Sequence, residues 1–127
     1  MPFHLRPDGK PVVAFDPRFE ISPFALFRRL DEGRQLLLVD TRAPGTCGKT
    51  LKGAERLAGD AWQPPVELDV VLFDDDGTAA VEVAARLIKA GHERVRALFG
   101  GIELYEFSLD PQVVGAETYL VAEDEAG

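Results

Sequence analysis

The sequence predicts an α/β domain with a mainly parallel central sheet of about five strands and helices on both faces. Three observations carry that expectation. Two apolar runs, Leu36–Val39 and Val70–Phe73, show no alternation and stop at an aspartate, as strands buried on both faces do. Stretches of helical periodicity lie between such runs. Glycines at Gly33, Gly91 and Gly100-Gly101 punctuate the pattern where helices end or turns begin. A chain of 127 residues, 46% hydrophobic and 28% charged, suits one domain with a substantial core and leaves no room for a second.

Taken in order, residues 1–19 read as an N-terminal arm or small hairpin. Pro2, Pro7, Pro11 and Pro17 forbid a helix there, and Pro7-Asp8-Gly9 is a turn signature. Glu20-Ile21 is a short extended piece. Ser22 is placed as an N-cap with Pro23 at the first helical position, Phe24, Phe27 and Leu30 recur at helical spacing, and Gly33 closes the helix. After the strand Leu36–Val39, the stretch Ala43–Gly53 holds Pro44, Gly45, Gly48 and Gly53 and reads as a loop, with Ala54–Leu57 a short strand behind it. Asp60–Leu68, with its Trp-Gln-Pro-Pro, is irregular. Val70–Phe73 is the second buried strand. The helix after it shows an apolar face of Val81, Ala84, Ala85, Leu87 and Ile88 and ends at Ala90-Gly91. Val95–Phe99 is a third strand, Gly100-Gly101 a turn, Ile102–Phe107 a short helix, and Tyr119–Val121 one more small element. The domain thus spans 20–121, and 122–127 is an acidic, solvated tail.

Composition excludes several partner classes. The formal net charge is −8, from 22 acidic against 14 basic residues, so phosphate backbones and anionic lipid would be repelled, and neither nucleic acid nor membrane is expected as a partner. Arg94 and Arg96 come nearest to a basic patch. The single cysteine, Cys47, allows no internal disulfide. With no apolar leader region and no run of roughly 18 apolar residues, a soluble cytoplasmic protein is expected. His4 and His92 have no ligand partners at useful spacing, and His92, just past a helix end, is expected to be exposed. No metal or cofactor is expected.

The chemistry concentrates in Asp69–Ala80, where the strand stops at Asp74, Asp75 and Asp76 before Gly77, Thr78 and the helix. Locally, Leu72–Thr78 resembles the first motif of the haloacid dehalogenase superfamily of phosphatases, D-x-D-G-T. That resemblance implies Asp74 as nucleophile and Asp76 as general acid/base around Mg²⁺. The remaining motifs of that superfamily have no counterpart in the 49 residues after Thr78. Lys89, on the helix directly after the loop, is the one lysine among them, and no acidic pair follows a later strand.

From Ile21 to Phe107 the chain resembles the rhodanese-like domain family. The residues that carry this are I-S-P-F-A-L-F-R-R-L, the strand L-L-L-V-D-T-R (Leu36–Arg42), L-K-G-A (Leu51–Ala54), D-V-V-L-F with its loop and helix, and V-R-A-L-F-G-G-I-E-L-Y-E (Val95–Glu106). Their order and spacing cover about two thirds of the chain. Active members carry C-x-x-G-x-R in the loop, the cysteine forming a persulfide. The resemblance places Asp74 at the cysteine, Gly77 at the glycine and Ala79 at the arginine. Phosphatases of this fold have a loop longer by one, which would put their arginine at Ala80. The family's loop histidine corresponds to Thr50 and its last-helix tryptophan to Tyr105.

A sulfur-transfer cysteine works as a thiolate among backbone N–H groups at a helix N-terminus. An aspartate there is anionic at neutral pH, can accept the same bonds and cannot form a persulfide. Asp75 and Asp76 add negative charge where a thiosulfate dianion would approach. The expectation is a catalytically inactive module that binds a protein or small-molecule partner, with no catalytic residue and with Asp74–Ala79 a degenerate loop. Two enzyme alternatives stand beside it. One is the Mg²⁺-dependent phosphatase. The other is sulfur or redox handling by Cys47, whose neighbours Arg42 and Lys49 could lower its pKa. Against all of these stands a purely structural role, with Asp76-Gly77-Thr78 a turn and N-cap and with Asp40 and Arg42 a pair.

Overall fold

A computed structural model describes residues 15–42, 48–56, 62–109 and 118–122. Most of the predicted N-terminal arm, Cys47 and the tail beyond residue 122 lie outside these residues. Seven strands and three helices are described: β1 (Glu20–Ile21), α1 (Pro23–Asp31), β2 (Leu36–Asp40), β3 (Lys49–Leu51), β4 (Glu55–Arg56), β5 (Asp69–Phe73), α2 (Thr78–Lys89), β6 (Val95–Leu98), α3 (Gly101–Ser108) and β7 (Leu120–Ala122).

The main sheet has the order β1-β6-β5-β2-β4, and all its pairings are parallel. The two apolar runs occupy its centre, β5 pairing with β2 from Leu36↔Asp69 to Asp40↔Phe73. Successive side chains of a strand point to opposite faces, and here each face has its own core. Leu38, Val71, Phe73 and Leu98 pack with Leu26 of α1 and with Ile102 and Tyr105 of α3. Val39, Val70, Leu72, Val95 and Ala97 pack with Ala80, Ala84 and Leu87 of α2. A run such as Val70–Phe73, every residue of it buried, needs both layers. That is why it cannot alternate with polar residues.

The helix ends follow local chemistry. The Ser22 hydroxyl accepts the Ala25 N–H at 3.2 Å, Pro23 opens α1, and Gly33 just past its end takes φ +73°. Gly91 ends α2 in the same way, at φ +109°. In α2 the inward face centres on Ala80, Ala84 and Leu87, whereas Ala85, expected inside, is only half-buried. The helix therefore lies rotated toward its N-terminal alanines, whose small side chains let it sit close to β5 and β6.

Two expectations need correction. The stretch Ala43–Gly53 is not all loop, because Lys49–Leu51 forms β3. The C-terminal strand also runs to Ala122, into the segment read as tail, and Tyr119 precedes it at φ +69°. The cause is the same for both. β3 and β7 pair only with each other, antiparallel, from Lys49↔Ala122 to Leu51↔Leu120. Neither has a local signal, since each is three residues long and made a strand by a partner far away in sequence.

Candidate functional site

The carboxyl ends of β2 and β5 lie side by side at the centre of the sheet, the place where open α/β sheets bind ligands. The Thr41 N–H and hydroxyl both donate to the Phe73 carbonyl, at 3.0 and 3.1 Å, so the chain leaving β2 is tied to the end of β5. The loop Asp74–Gly77 then turns into α2.

Asp74 is buried and faces back into that turn. Its Oδ1 accepts the Gly77 N–H at 2.6 Å, and its Oδ2 accepts those of Ala79 at 3.0 Å and Ala80 at 3.4 Å. The Ala79 and Ala80 groups are first-turn N–H donors that a helix leaves without internal partners, at the positive end of its dipole. Gly77 is the residue just before the helix and has no side chain to cap it, and the carboxylate three residues upstream does the capping. Asp76 Oδ1 accepts from the N–H and hydroxyl of Thr78, at 3.0 and 2.6 Å. Asp76-Gly77-Thr78 thus form a turn at the helix start, with Asp74 as the main cap.

The loop is also held from behind. Ile102 and Glu103, at the start of α3, donate their N–H groups to the Asp74 and Asp75 carbonyls at 2.9 and 3.0 Å. Backbones approach so closely here that a Cβ on Gly101 would lie 2.5 Å from the Asp75 carbonyl oxygen, and one on Gly77 2.9 Å from Gly100 N. Both glycines also have positive φ, +63° and +89°. Glycine is needed at both on two counts.

Beside the loop lies a charge network that sequence reading saw only as a pair. Asp40, 1% exposed, takes Arg42 in a two-pronged contact, Nε to Oδ1 at 3.0 Å and Nη2 to Oδ2 at 2.8 Å, and accepts the Arg42 N–H at 3.0 Å. Thr50 donates its hydroxyl to Asp40 at 3.0 Å, and Arg56 reaches the same carboxylate at 3.1 Å. Arg42 also donates to Asp75 at 2.8 Å and to the Lys49 carbonyl at 2.7 Å, which bridges the β2 end, β3 and the loop. Burial alone would push the Asp40 carboxyl up. Arg42, through its side chain and backbone, and Thr50 together hold it below the usual carboxylate range. No feature of the sequence pointed to Thr50 or Arg56 as partners of Asp40, since both arrive from other strands.

At Asp74 the balance goes the other way. Burial pushes its carboxyl above the ordinary value, against the lowering effect of the N–H bonds, and the nearby Asp76 charge adds to the rise. A raised native value means stability that is complete below the unfolded carboxyl value of about 3.9 and lost as pH rises through the native one. Asp74→Asn should remove that part of the pH dependence. Urea titrations at several pH values above about 3.9 should show the variant losing less stability than the parent as pH rises.

Of the remaining candidates, Ala79 and Ala80, the two predicted arginine positions, face the loop only through their N–H groups. Asp74 accepts the N–H groups of Gly77, Ala79 and Ala80, whereas Asp76 accepts from the N–H and hydroxyl of Thr78. Among the described residues no group of three or more His, Cys, Asp or Glu side chains is placed to hold a metal ion. Arg94 pairs with Asp69 at 3.0 Å, and Arg96 donates to the carbonyls of Pro17, Glu93 and Val95. His92, expected exposed, is half-buried with Nε2 3.1 Å from Gln63 Oε1. Tyr105, fully buried, donates its hydroxyl to the Thr118 carbonyl at 2.5 Å, and burial pushes its pKa up. No described helix is long and apolar enough to cross a membrane.

No family model matches the sequence, and neither does any curated protein. Solved structures do. A rhodanese-related protein from Thermoplasma volcanium is similar over 71% of this chain and 92% of its own, with TM-score 0.59 and 11% identity. A rhodanese homolog from Thermus thermophilus is similar over 67% and 98%, with TM-score 0.50 and 25% identity. A yeast protein described as a tyrosine phosphatase of the rhodanese family is similar over 85% and 94%, with TM-score 0.54 and 18% identity. The five-stranded parallel sheet with helices on both faces is thus shared with proteins of one fold, and this chain has a rhodanese-like fold.

Proposed function

We propose that this domain is a non-catalytic binding or regulatory module without thiosulfate sulfurtransferase activity. The observation that carries the reading is the placement of Asp74. Its carboxylate fills the N–H cradle at the start of α2 that an anionic nucleophile or substrate would need. A carboxylate has no sulfur to accept, and the loop arginine expected of active relatives corresponds to Ala79. Asp75 and Asp76 would oppose an incoming dianion. The alternative in which Asp74 and Asp76 act as a phosphatase pair is less well supported, because Asp74 would have to leave three backbone donors to reach a phosphorus atom.

Thiosulfate:cyanide sulfur transfer measured on purified protein should give no turnover above buffer, and turnover typical of active relatives would overturn the reading. A second measurement asks whether the cradle itself is competent. In a Cys47→Ser background, Asp74→Cys should carry a thiol whose pKa falls below the free value of about 8.5, because the same N–H groups would stabilise the thiolate. The pH dependence of its alkylation rate reads this directly. An unshifted thiol would mean that the cradle does not stabilise an anion.

A further inference from the structure

The loop before α2 carries the most rearrangement-prone peptide linkage among the described residues. Asp76-Gly77 is the one Asp-Gly pair among them, and the sequence holds no asparagine. Glycine has no Cβ to shield its nitrogen, so in an open chain that nitrogen can attack the aspartate side chain before it. The N–C bond forms as the amide proton and a carboxyl oxygen leave together as water, giving a five-membered imide. Water then opens the imide at either carbonyl. One of the two products is isoaspartate, with the backbone routed through the side chain. The fold cannot avoid this pair by changing the glycine. Gly77 sits at φ +89°, and a Cβ there would lie 2.9 Å from Gly100 N.

We propose that Asp76 is a latent isoaspartate site and that Asp74 guards it, so that the linkage reacts only when Asp74 lets go of Gly77. Asp74 Oδ1 stands 2.6 Å from the Gly77 nitrogen and accepts its N–H. In the imide, the side-chain carbon of Asp76 takes the place of that hydrogen. A C–N bond of about 1.4 Å in that direction would put the carbon far inside contact distance of the Asp74 oxygen. The ring therefore cannot close while this hydrogen bond stands. Asp74 is buried and also bonded to the N–H groups of Ala79 and Ala80, so moving it aside means opening the start of α2. A second contact acts on the other reactant. Asp76 Oδ1 accepts from the N–H and hydroxyl of Thr78, and closing the ring would give up both bonds. Those bonds are exposed, and water can replace them. The bond from Gly77 to Asp74 is buried and decides the outcome. This role concerns how long the loop survives chemically and does not depend on whether the domain binds a partner.

The test stores the whole chain, Asp74→Ala and Thr78→Ala at mildly acidic pH beside a synthetic peptide of residues 72–80, the unprotected reference. Peptide mapping by mass spectrometry and enzymatic methylation of isoaspartate read the product at residue 76. The folded parent should isomerise at least about tenfold more slowly than the peptide, since a bond to a charged acceptor has to open first. Asp74→Ala should approach the peptide's rate, and Thr78→Ala should stay near the parent's. Equal rates for parent and peptide overturn the proposal, as does a folded Asp74→Ala no faster than the parent. Thr78→Ala as fast as the peptide also overturns it, since the guard would then be Thr78. If Asp74→Ala does not fold, the parent alone decides. Through sub-denaturing urea its isomerisation should rise in step with hydrogen exchange at the Gly77 amide, because both need the same opening. Isomerisation that speeds up while that amide stays protected sinks the idea.

Discussion

Asp40→Ala should cost about 3–5 kcal/mol of folding stability, the range found when one partner of a buried ion pair is removed. Asp40 satisfies the Arg42 guanidinium and N–H, the Thr50 hydroxyl and part of Arg56. With the carboxylate gone, Arg42 would keep its charge at 8% exposure with Asp75 and a carbonyl in place of a two-pronged partner. Denaturant unfolding of the two proteins at neutral pH measures the loss. The sign of the pH effect follows from the same contacts. A native value held below the unfolded one contributes stability that is present above about pH 3.9 and lost as pH falls through the native value. The parent should lose this increment on acidification and Asp40→Asn, which does not ionise, should not. A variant as stable as the parent at neutral pH would mean that the network contributes nothing net.

Gly101→Ala is the second large effect, at about 2–4 kcal/mol, from adding a left-handed backbone penalty to an overpacking one. The added methyl would meet backbone atoms of Asp74 and Asp75 at 2.5–2.6 Å, and backbone cannot turn aside as a flexible side chain can. Gly33→Ala is the control. It shares a positive φ, but nothing lies within 4 Å of its would-be Cβ. Thermal unfolding should place Gly101→Ala well below Gly33→Ala, and equal losses would reduce the effect to backbone conformation alone.

What was legible in the sequence and what was not divide along the distance over which a signal acts. Ser22-Pro23, Gly33, Gly91 and the runs Leu36–Val39 and Val70–Phe73 announce their structures because caps and two-sided burial leave local patterns. The pairing of Asp40 with Arg42 is a contact between residues two apart and was equally visible. β3 was not, since its strand partner is β7 at the other end of the domain, and β7 was legible only as a small element at Tyr119–Val121 of no stated type. Nor were Thr50 and Arg56, which reach Asp40 from strands brought in by the fold. At the loop, sequence supplied the charge of Asp74 and its place before a helix. The three N–H bonds that define its role depend on how α2 begins, and that is set by Gly77 resting against Gly100.

The N–H bonds from α3 to the Asp74 and Asp75 carbonyls have a consequence for motion. Ligand loops usually belong to the least stable part of a protein and open on their own. This one has its carbonyls on one helix, its first side chain on the start of another, and Asp75 on Arg42. It cannot swing outward without breaking the beginning of both helices, so its amides should exchange with solvent on the slow schedule of the central strands. A partner would meet a surface already in its final shape, with little ordering entropy left to lose on contact.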